Sequence, residues 1–336
     1  MITALLAFVI LASLIFFSGR YLSLYGEAIA VHLGMGKAWI GLVLMASVTS
    51  LPELTVGISS VSLVGSADLA LGDVLGSCVF NLFLLSLMDS LVPGVPLSSK
   101  VSTSHILAAA LSIFLVAMVG LGLYLPPNIV LVSWIGLSSI AFVVVYFISV
   151  RLLYHYELKM VAATTTPKGS PGAVPEVSLR KAVLLYAVHA AVVVGAAVFL
   201  PGIAETIAKE SGLGESFVGT LFLAASTSLP EAAVSISAIR MGSYDLAVGN
   251  LIGSNLFNIL VLAIDDAFYT RGHLLKDASD SNIVSAFSVI IMTAVAIAGL
   301  MYRSKRKVFF LAWDALLIAA VYIGNLLMLY NLRSRI

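Results

Sequence analysis

Apolar residues in this chain run in long stretches instead of alternating with polar ones. Ten stretches reach or approach the roughly 20 residues that a helix needs to cross about 30 Å of hydrocarbon. They are Ile2–Phe17, Ala38–Val64, Leu69–Val92, His105–Leu125, Ile129–Val150, Ala182–Leu200, Ser216–Ala238, Leu246–Phe268, Ile283–Met301 and Val308–Leu332. Lipid offers backbone amides no partner outside their own helix, so each stretch is predicted to be helical. Together they cover most of the 336 residues and leave no room for a sizeable soluble domain. The expected fold is an all-α membrane protein of ten transmembrane helices.

Composition agrees: 60% of residues are hydrophobic and 10% charged, with a mean hydropathy of +1.09, against about 25% charged in a soluble domain. Net charge is +1 and the basic residues are scattered, so no basic stripe points to nucleic acid. The single cysteine, Cys78, excludes an internal disulfide and a thiolate zinc cluster. No Lys or Arg precedes Arg20, so the first stretch lacks the basic region of a cleaved signal and reads as a retained helix. Thirteen basic residues fall in loops on one side (Arg20, Lys37, Lys100, Arg151, Lys159, Lys168, Arg180, Lys181, Arg240, Arg303, Lys305, Arg306, Lys307). The other side holds five: Lys209, Arg271, Lys276, Arg333 and Arg335. The positive-inside rule makes the first side cytoplasmic and puts both termini outside.

The sequence contains itself twice. Thr49-Ser50-Leu51-Pro52-Glu53 recurs as Thr227-Ser228-Leu229-Pro230-Glu231, offset by 178, and the run from Gly65 to Gly72 recurs from Gly242 to Gly249, offset by 177. Gly76-Ser77 and Phe80-Asn81 match Gly253-Ser254 and Phe257-Asn258, while Glu27, Gly34, Gly36 and Gly41 match Glu205, Gly212, Gly214 and Gly219. Each copy holds five stretches, and an odd number forces the second copy to insert upside down. The predicted plan is two inverted-topology five-helix repeats. The first spans 1–153 with its motif at 46–81, and the second spans 181–336 with its motif at 224–258. A cytoplasmic linker, 154–180, joins them and is Pro/Gly/Thr-rich between Thr164 and Gly172. Secondary transporters are commonly built this way, with the binding site at the midplane between repeats.

Glu53 lies fifteen residues past the start of its stretch, deep in the hydrocarbon, and Glu231 occupies the matching place. A charge at that depth costs roughly 2.5–3.5 kcal/mol or more, and no Lys or Arg between Ala38 and Ser99 can offset Glu53. The alternatives are a permanently protonated acid or a hydrogen-bonded packing residue, and both copies would need the same explanation. Pro52 and Pro230 have no amide to give the carbonyls of Val48 and Ser226. Thr49, Ser50, Thr227 and Ser228 stand three or four residues from the acids, on the same helix face. Ser77 and Asn81, with Ser254 and Asn258, place further oxygens one turn apart on the next helix of each copy. Membrane Ser and Asn also serve as interhelical glue; their duplication beside the acids favours ion contact. Carboxylate, hydroxyl and carbonyl oxygens are what hard cations such as Na⁺ and Ca²⁺ prefer.

Other polar positions read as structural. Asp68 and Asp245 follow Gly-Ser-Ala and Gly-Ser-Tyr, precede apolar runs and are expected to cap helices. Asp89 and Asp266 are expected to be solvated helix-end carboxylates. Gly72 with Gly76, and Gly249 with Gly253, form small-xxx-small faces that let helices approach closely.

At these residues the chain resembles the calcium/cation antiporter superfamily, most closely the ten-helix prokaryotic sodium/calcium exchangers, whose repeats read approximately A-x-G-T-S-L-P-E and G-N-x-I-G-S-N-I-F-N. The resemblance covers essentially the whole chain. It implies that Glu53 and Glu231 are the central Ca²⁺ and Na⁺ ligands. Thr49, Ser50, Thr227, Ser228, Ser77 and Ser254 would add hydroxyl or carbonyl oxygens, and Asn81 and Asn258 would line the middle of the site. The chain departs from the pattern at Val48 and Ser226, where Gly is usual, and at Asp73 and Cys78, where Asn is expected. Some relatives carry Asp in place of Asn258.

Two ionised glutamates flanked by Asn give two negative charges, which one Ca²⁺, two Na⁺ or two protons neutralise. Because an empty, doubly charged pocket is too costly to reorient through lipid, ions would cross only in exchange. The expected function is secondary active cation antiport, Na⁺/Ca²⁺ exchange by alternating access, with a Ca²⁺ (or other cation)/H⁺ antiporter as alternative. The substrates would be Ca²⁺ and Na⁺ or H⁺; no cofactor and no obligate protein partner is expected. A passive channel would conduct without countertransport. An intramembrane aspartyl protease, the enzyme alternative, would need Tyr-Asp before Gly-x-Gly-Asp; Tyr244-Asp245 instead follows Ala70-Leu71-Gly72-Asp73.

Overall fold

Helix follows apolar sequence almost throughout the computed structural model, which describes residues 2–124, 130–132, 135–163, 177–210, 225–308 and 310–333. Its main helices are α1 (Ile2–Leu33), α2 (Lys37–Val64), α3 (Ala67–Leu91), α4 (Ser104–Tyr124), α5 (Leu137–Ala163) and α6 (Leu179–Ala197). They continue with α7 (Leu200–Glu210), α8 (Leu229–Arg240), α9 (Tyr244–Phe268), α10 (Asn282–Tyr302) and α11 (Trp313–Arg333). Among the described residues nine helices are long and apolar enough to cross a membrane. The expected seventh span, Ser216–Ala238, begins outside the described residues; its described part is helical at 225–227 and from Leu229. Gly212, Gly214, Gly219 and the 164–172 segment also lie outside them.

Three expected boundaries are corrected. The first helix does not stop at Phe17 but runs 32 residues to Leu33, about 48 Å. Arg20 therefore sits on the exposed flank of a helix and not in a loop. Its counterpart, α6 and α7, is broken at 198–199. There Pro201, which has no amide hydrogen, replaces the Ser23 of the first copy. The fifth span starts at Leu137, because Val130–Val132 and Ile135–Gly136 pair as a small antiparallel hairpin, and it continues to Ala163 through the first residues assigned to the linker.

α2, α3, α8 and α9 form the centre, with α9 packed against α2, α3, α4, α5 and α8. α1 lies outside them, along α6 and α8, held by Ile15, Val193, Ala197, Leu200 and Ala233 and by a 2.8 Å hydrogen bond from Ser23 Oγ to the Val234 carbonyl. Backbones come closest where α2 crosses α9. A Cβ on Gly249 would lie 2.6 Å from the Ala38 carbonyl oxygen, and one on Gly253 would collide with Leu42. This is the close approach expected of that glycine pair. A Cβ on Gly72 would have Asn282 Oδ1 as its nearest described neighbour, 4.0 Å away, so no such crossing forms there among the described residues.

The two ends of the bundle are distinguishable. His32 Nε2 meets the Val177 carbonyl at 2.7 Å, so the end of α1 and the start of α2 share a face with the end of α5 and the start of α6. Lys37 and Ser243 both contact Glu27 on this linker face, so α9 starts there too. On the opposite face α2 ends at Gly65, whose φ of +75° suits glycine, and Ser66 Oγ caps α3 by accepting from the Leu69 amide at 3.2 Å.

Asp68 and Asp245 are not caps. Asp68 Oδ1 accepts from the Ser279 amide at 2.5 Å and from Asn282 Nδ2 at 3.1 Å, while Asp245 Oδ1 accepts from the Ser102 amide at 2.6 Å and pairs with His105 Nε2 at 3.0 Å. Each ties its helix to a helix start in the other copy, and the partners Ser102/Ser279 and His105/Asn282 are themselves 177 apart. Asp89 and Asp266, unlike Asp68, are buried and not solvated, each 3% exposed. Asp89 accepts from the amides of Leu97 (2.6 Å) and Ala312 (2.7 Å) and pairs with Lys307 at 3.3 Å. Asp266 accepts from the amides of Leu274 (3.1 Å) and Gly136 (3.0 Å) and from Ser139 Oγ (2.6 Å).

Candidate cation site

Both glutamates sit where a helix breaks and restarts. The backbone at Ser50 (φ −89°, ψ 10°) and Ser228 (φ −83°, ψ 10°) leaves the helical region, and a new helix starts with the proline and glutamate in its first turn. Proline suits a first turn because its missing amide would have no intrahelical acceptor there. The break turns the hydroxyls inward. Glu53, Glu231, Thr49, Ser50, Ser77, Asn81, Thr227, Ser228, Ser254 and Asn258 are all 0% exposed.

The structure brings all ten of these positions into one centre, and the two copies interlock there. Ser50 Oγ donates to Glu231 Oε1 at 2.9 Å and Ser228 Oγ to Glu53 Oε1 at 3.3 Å, each crossing between copies. Thr49 Oγ1 lies 3.4 Å from Ser254 Oγ, and Ser77 Oγ lies 3.4 Å from Thr227 Oγ1, again across copies. Ser254 Oγ also donates to Glu231 Oε1 at 3.2 Å. Asn81 Nδ2 donates to Asn255 Oδ1 at 3.1 Å; Asn258 Nδ2 reaches Cys78 Sγ at 3.8 Å. Asn255 Nδ2 donates to the Cys78 carbonyl at 3.2 Å, so the departing cysteine lies where α3 crosses α9.

The leftover atoms are as informative as the pairs. Glu53 Oε2, Glu231 Oε2, Asn81 Oδ1 and Asn258 Oδ1 are buried and accept no hydrogen bond among the described residues. Four such acceptors in symmetry-related pairs are unusual for a packed core, where buried polar atoms are normally paired, and oxygens of this kind suit a hard cation.

A family model described as sodium/calcium exchanger protein matches residues 3–155 and 181–331, most of the chain. The chain belongs to the sodium/calcium exchanger family. It is 26% identical over 314 residues to an uncharacterized membrane protein of Methanocaldococcus jannaschii, covering 92% of each chain. It is also 26% identical to the putative antiporter CaxA of Alkalimonas amylolytica, covering 84% of this chain and 86% of that one. A shorter match, 32% over 149 residues, joins it to the sodium/calcium exchanger MaX1 of Methanosarcina acetivorans, over 42% of this chain and 38% of the relative. Among solved structures, the sodium-calcium exchanger NCX_Mj superposes with a TM-score of 0.73 at 21% identity, covering 96% of this chain and 97% of that one. The fold is shared, and the protein is a multi-pass, all-helical membrane protein.

Three positions beside this exchanger-family centre carry no ligand signal in the sequence. Asp73 is 2% exposed; its Oδ1 accepts from Thr227 Oγ1 at 3.3 Å and its Oδ2 accepts nothing among the described residues. Asp265 is 0% exposed with neither oxygen partnered. Gly57, one turn past Glu53, leaves the room that the Asp265 carboxylate fills. Asp265 has Met88 as its counterpart, so a search for repeated identities passes over it.

Proposed function

We propose that this chain is a secondary active antiporter that exchanges Na⁺ for Ca²⁺ by alternating access, with ions held between Glu53 and Glu231. Thr49, Ser50, Ser77, Asn81, Thr227, Ser228, Ser254 and Asn258 complete the site. The observation that carries the reading is the set of four buried, donorless oxygens on Glu53, Glu231, Asn81 and Asn258. Two carboxylates balance one Ca²⁺ or two Na⁺, which makes the cations competitors for one pocket, and MaX1 is itself named a sodium/calcium exchanger. Reorienting the pocket without cargo strands two charges in the bilayer, so movement in one direction is tied to movement in the other. The reading includes two inverted five-helix halves, 1–153 and 181–336, with the 154–180 linker cytoplasmic and both termini outside, an orientation that the basic-residue asymmetry supports.

Ca²⁺ (or other cation)/H⁺ antiport is the second reading, since two protons neutralise the same acids and CaxA is named a putative antiporter. Purified protein in liposomes loaded with Na⁺ should take up radiolabelled Ca²⁺ when external Na⁺ is removed, and should not respond to a pH step alone. Uptake that ignores Na⁺ but follows the pH step would replace the first reading with the second.

A further inference from the structure

On the face opposite the linker, the interior of the protein holds two buried carboxyl groups that are not among the ten positions of the central site. α9 starts on the linker face and ends on the other, and Asp265 lies seven residues past Asn258, about 10 Å further toward that second face. Its carboxylate rests against the backbone of α2 at Gly57; a Cβ there would collide with both oxygens. Asp73, one turn before Ser77 on α3, runs toward the same face and lies within electrostatic reach of both Asp265 and Glu53. Three acceptor atoms, both oxygens of Asp265 and Oδ2 of Asp73, are buried with no donor among the described residues. No Lys or Arg occurs between Lys37 and Lys100 or between Arg240 and Arg271, so the helices that hold these acids supply no counter-charge at this depth.

The half facing the linker is built differently. There Asn250 stands in the place of Asp73, donating to Ser235 Oγ at 3.0 Å and accepting from Thr49 Oγ1 at 3.3 Å. Ser235 stands in the place of Gly57 and buried Met88 in the place of Asp265. That network is neutral and closed, whereas the one opposite is doubly acidic and open.

We propose that Asp265 and Asp73 form a second cation position, toward the non-linker face from the central site, that takes a partly hydrated hard divalent cation of the Ca²⁺ class. Two carboxylates match one divalent charge. The few protein oxygens leave several coordination places to water, as suits an ion being queued and not retained. The position rests on the cation-exchange reading of the centre only for its role as a waiting place; the binding itself is independent of exchange.

The test uses the full chain in detergent, with Ca²⁺ as the probe, measured by equilibrium dialysis. An E53Q/E231Q variant, stripped of the central acids, should still bind one Ca²⁺ per chain, and adding D265N should remove it. In liposomes D265N alone should raise the half-saturating Ca²⁺ at the non-linker face by about tenfold with little change in maximal rate. G57A, which leaves both acids in place but pushes a methyl into the carboxylate, should shift it in the same direction. An E53Q/E231Q variant that binds no Ca²⁺, or whose binding is indifferent to D265N, overturns the proposal. Failure of Na⁺-driven uptake in the wild type with this binding intact would instead overturn only the exchange reading. Removing an unpaired buried charge should not lower thermal stability in metal-free buffer, so melting curves of D265N separate lost binding from lost folding.

Discussion

At the centre, the two copies of the repeat place nearly the same atoms at nearly the same distances: the Thr–Ser hydroxyl contacts are both 3.4 Å, and Thr49 and Thr227 each donate at 3.3 Å to the residue at 250 or 73. One to two turns outward they part, an amide and a methionine on one side facing two aspartates on the other. On the alternating-access reading proposed above, the centre is constrained from both membrane faces because the same cargo must fit whichever way the pocket opens. Residues beyond it serve one face only and are free to differ. Chemistry common to both copies therefore belongs to the cargo, and chemistry found in one belongs to a direction.

The comparison breaks most severely at the acids. E53Q and E231Q, each keeping shape and losing charge, should each abolish Na⁺-driven Ca²⁺ uptake, by a hundredfold or about 3 kcal/mol, while the protein remains inserted and monodisperse. Near-normal transport by either variant would remove that glutamate from the site. A smaller contrast lies at the helix ends. D89N should destabilise by about 1–3 kcal/mol in thermal melts and D266N by less, because only Asp89 also holds Lys307, whose largely buried ammonium would keep the Asp89 and Val92 carbonyls but lose its counter-charge. Equal losses would mean that the ion pair contributes nothing beyond the amide contacts. The smallest effect is expected from H105N, which copies Asn282 into the linker-face clamp. If the two clamps are equivalent, melting should shift by less than about 1 kcal/mol, whereas H105A should cost more.

The centre could be read from sequence because duplication marks it twice: Thr-Ser-Leu-Pro-Glu and the Gly-Ser and Phe-Asn pairs recur in register, so geometry inferred for one copy is checked by the other. Hydropathy locates most helices but misses α1 beyond Phe17, since Arg20 interrupts the apolar run without interrupting the hydrogen-bond ladder. It also reads the apolar Val130–Val132 hairpin as part of a helix. The four helix-end aspartates defeat sequence reading for a different reason. Each has at least one donor from a segment distant in the chain, such as Ser279 and Asn282 for Asp68 or Ala312 for Asp89, and no local pattern announces such partners. Asp265 escapes because the signal that reveals the other acids, repetition, is the one it lacks.

Ser50 serves Glu231 and Ser228 serves Glu53, so neither half owns a finished set of oxygens. A gene severed within the 164–176 segment should yield two polypeptides that are individually inert, and transport should return only when both are made in one cell. Matched pairs of half-genes from different relatives would then report how far the two lineages of each half can drift before they cease to recognise one another.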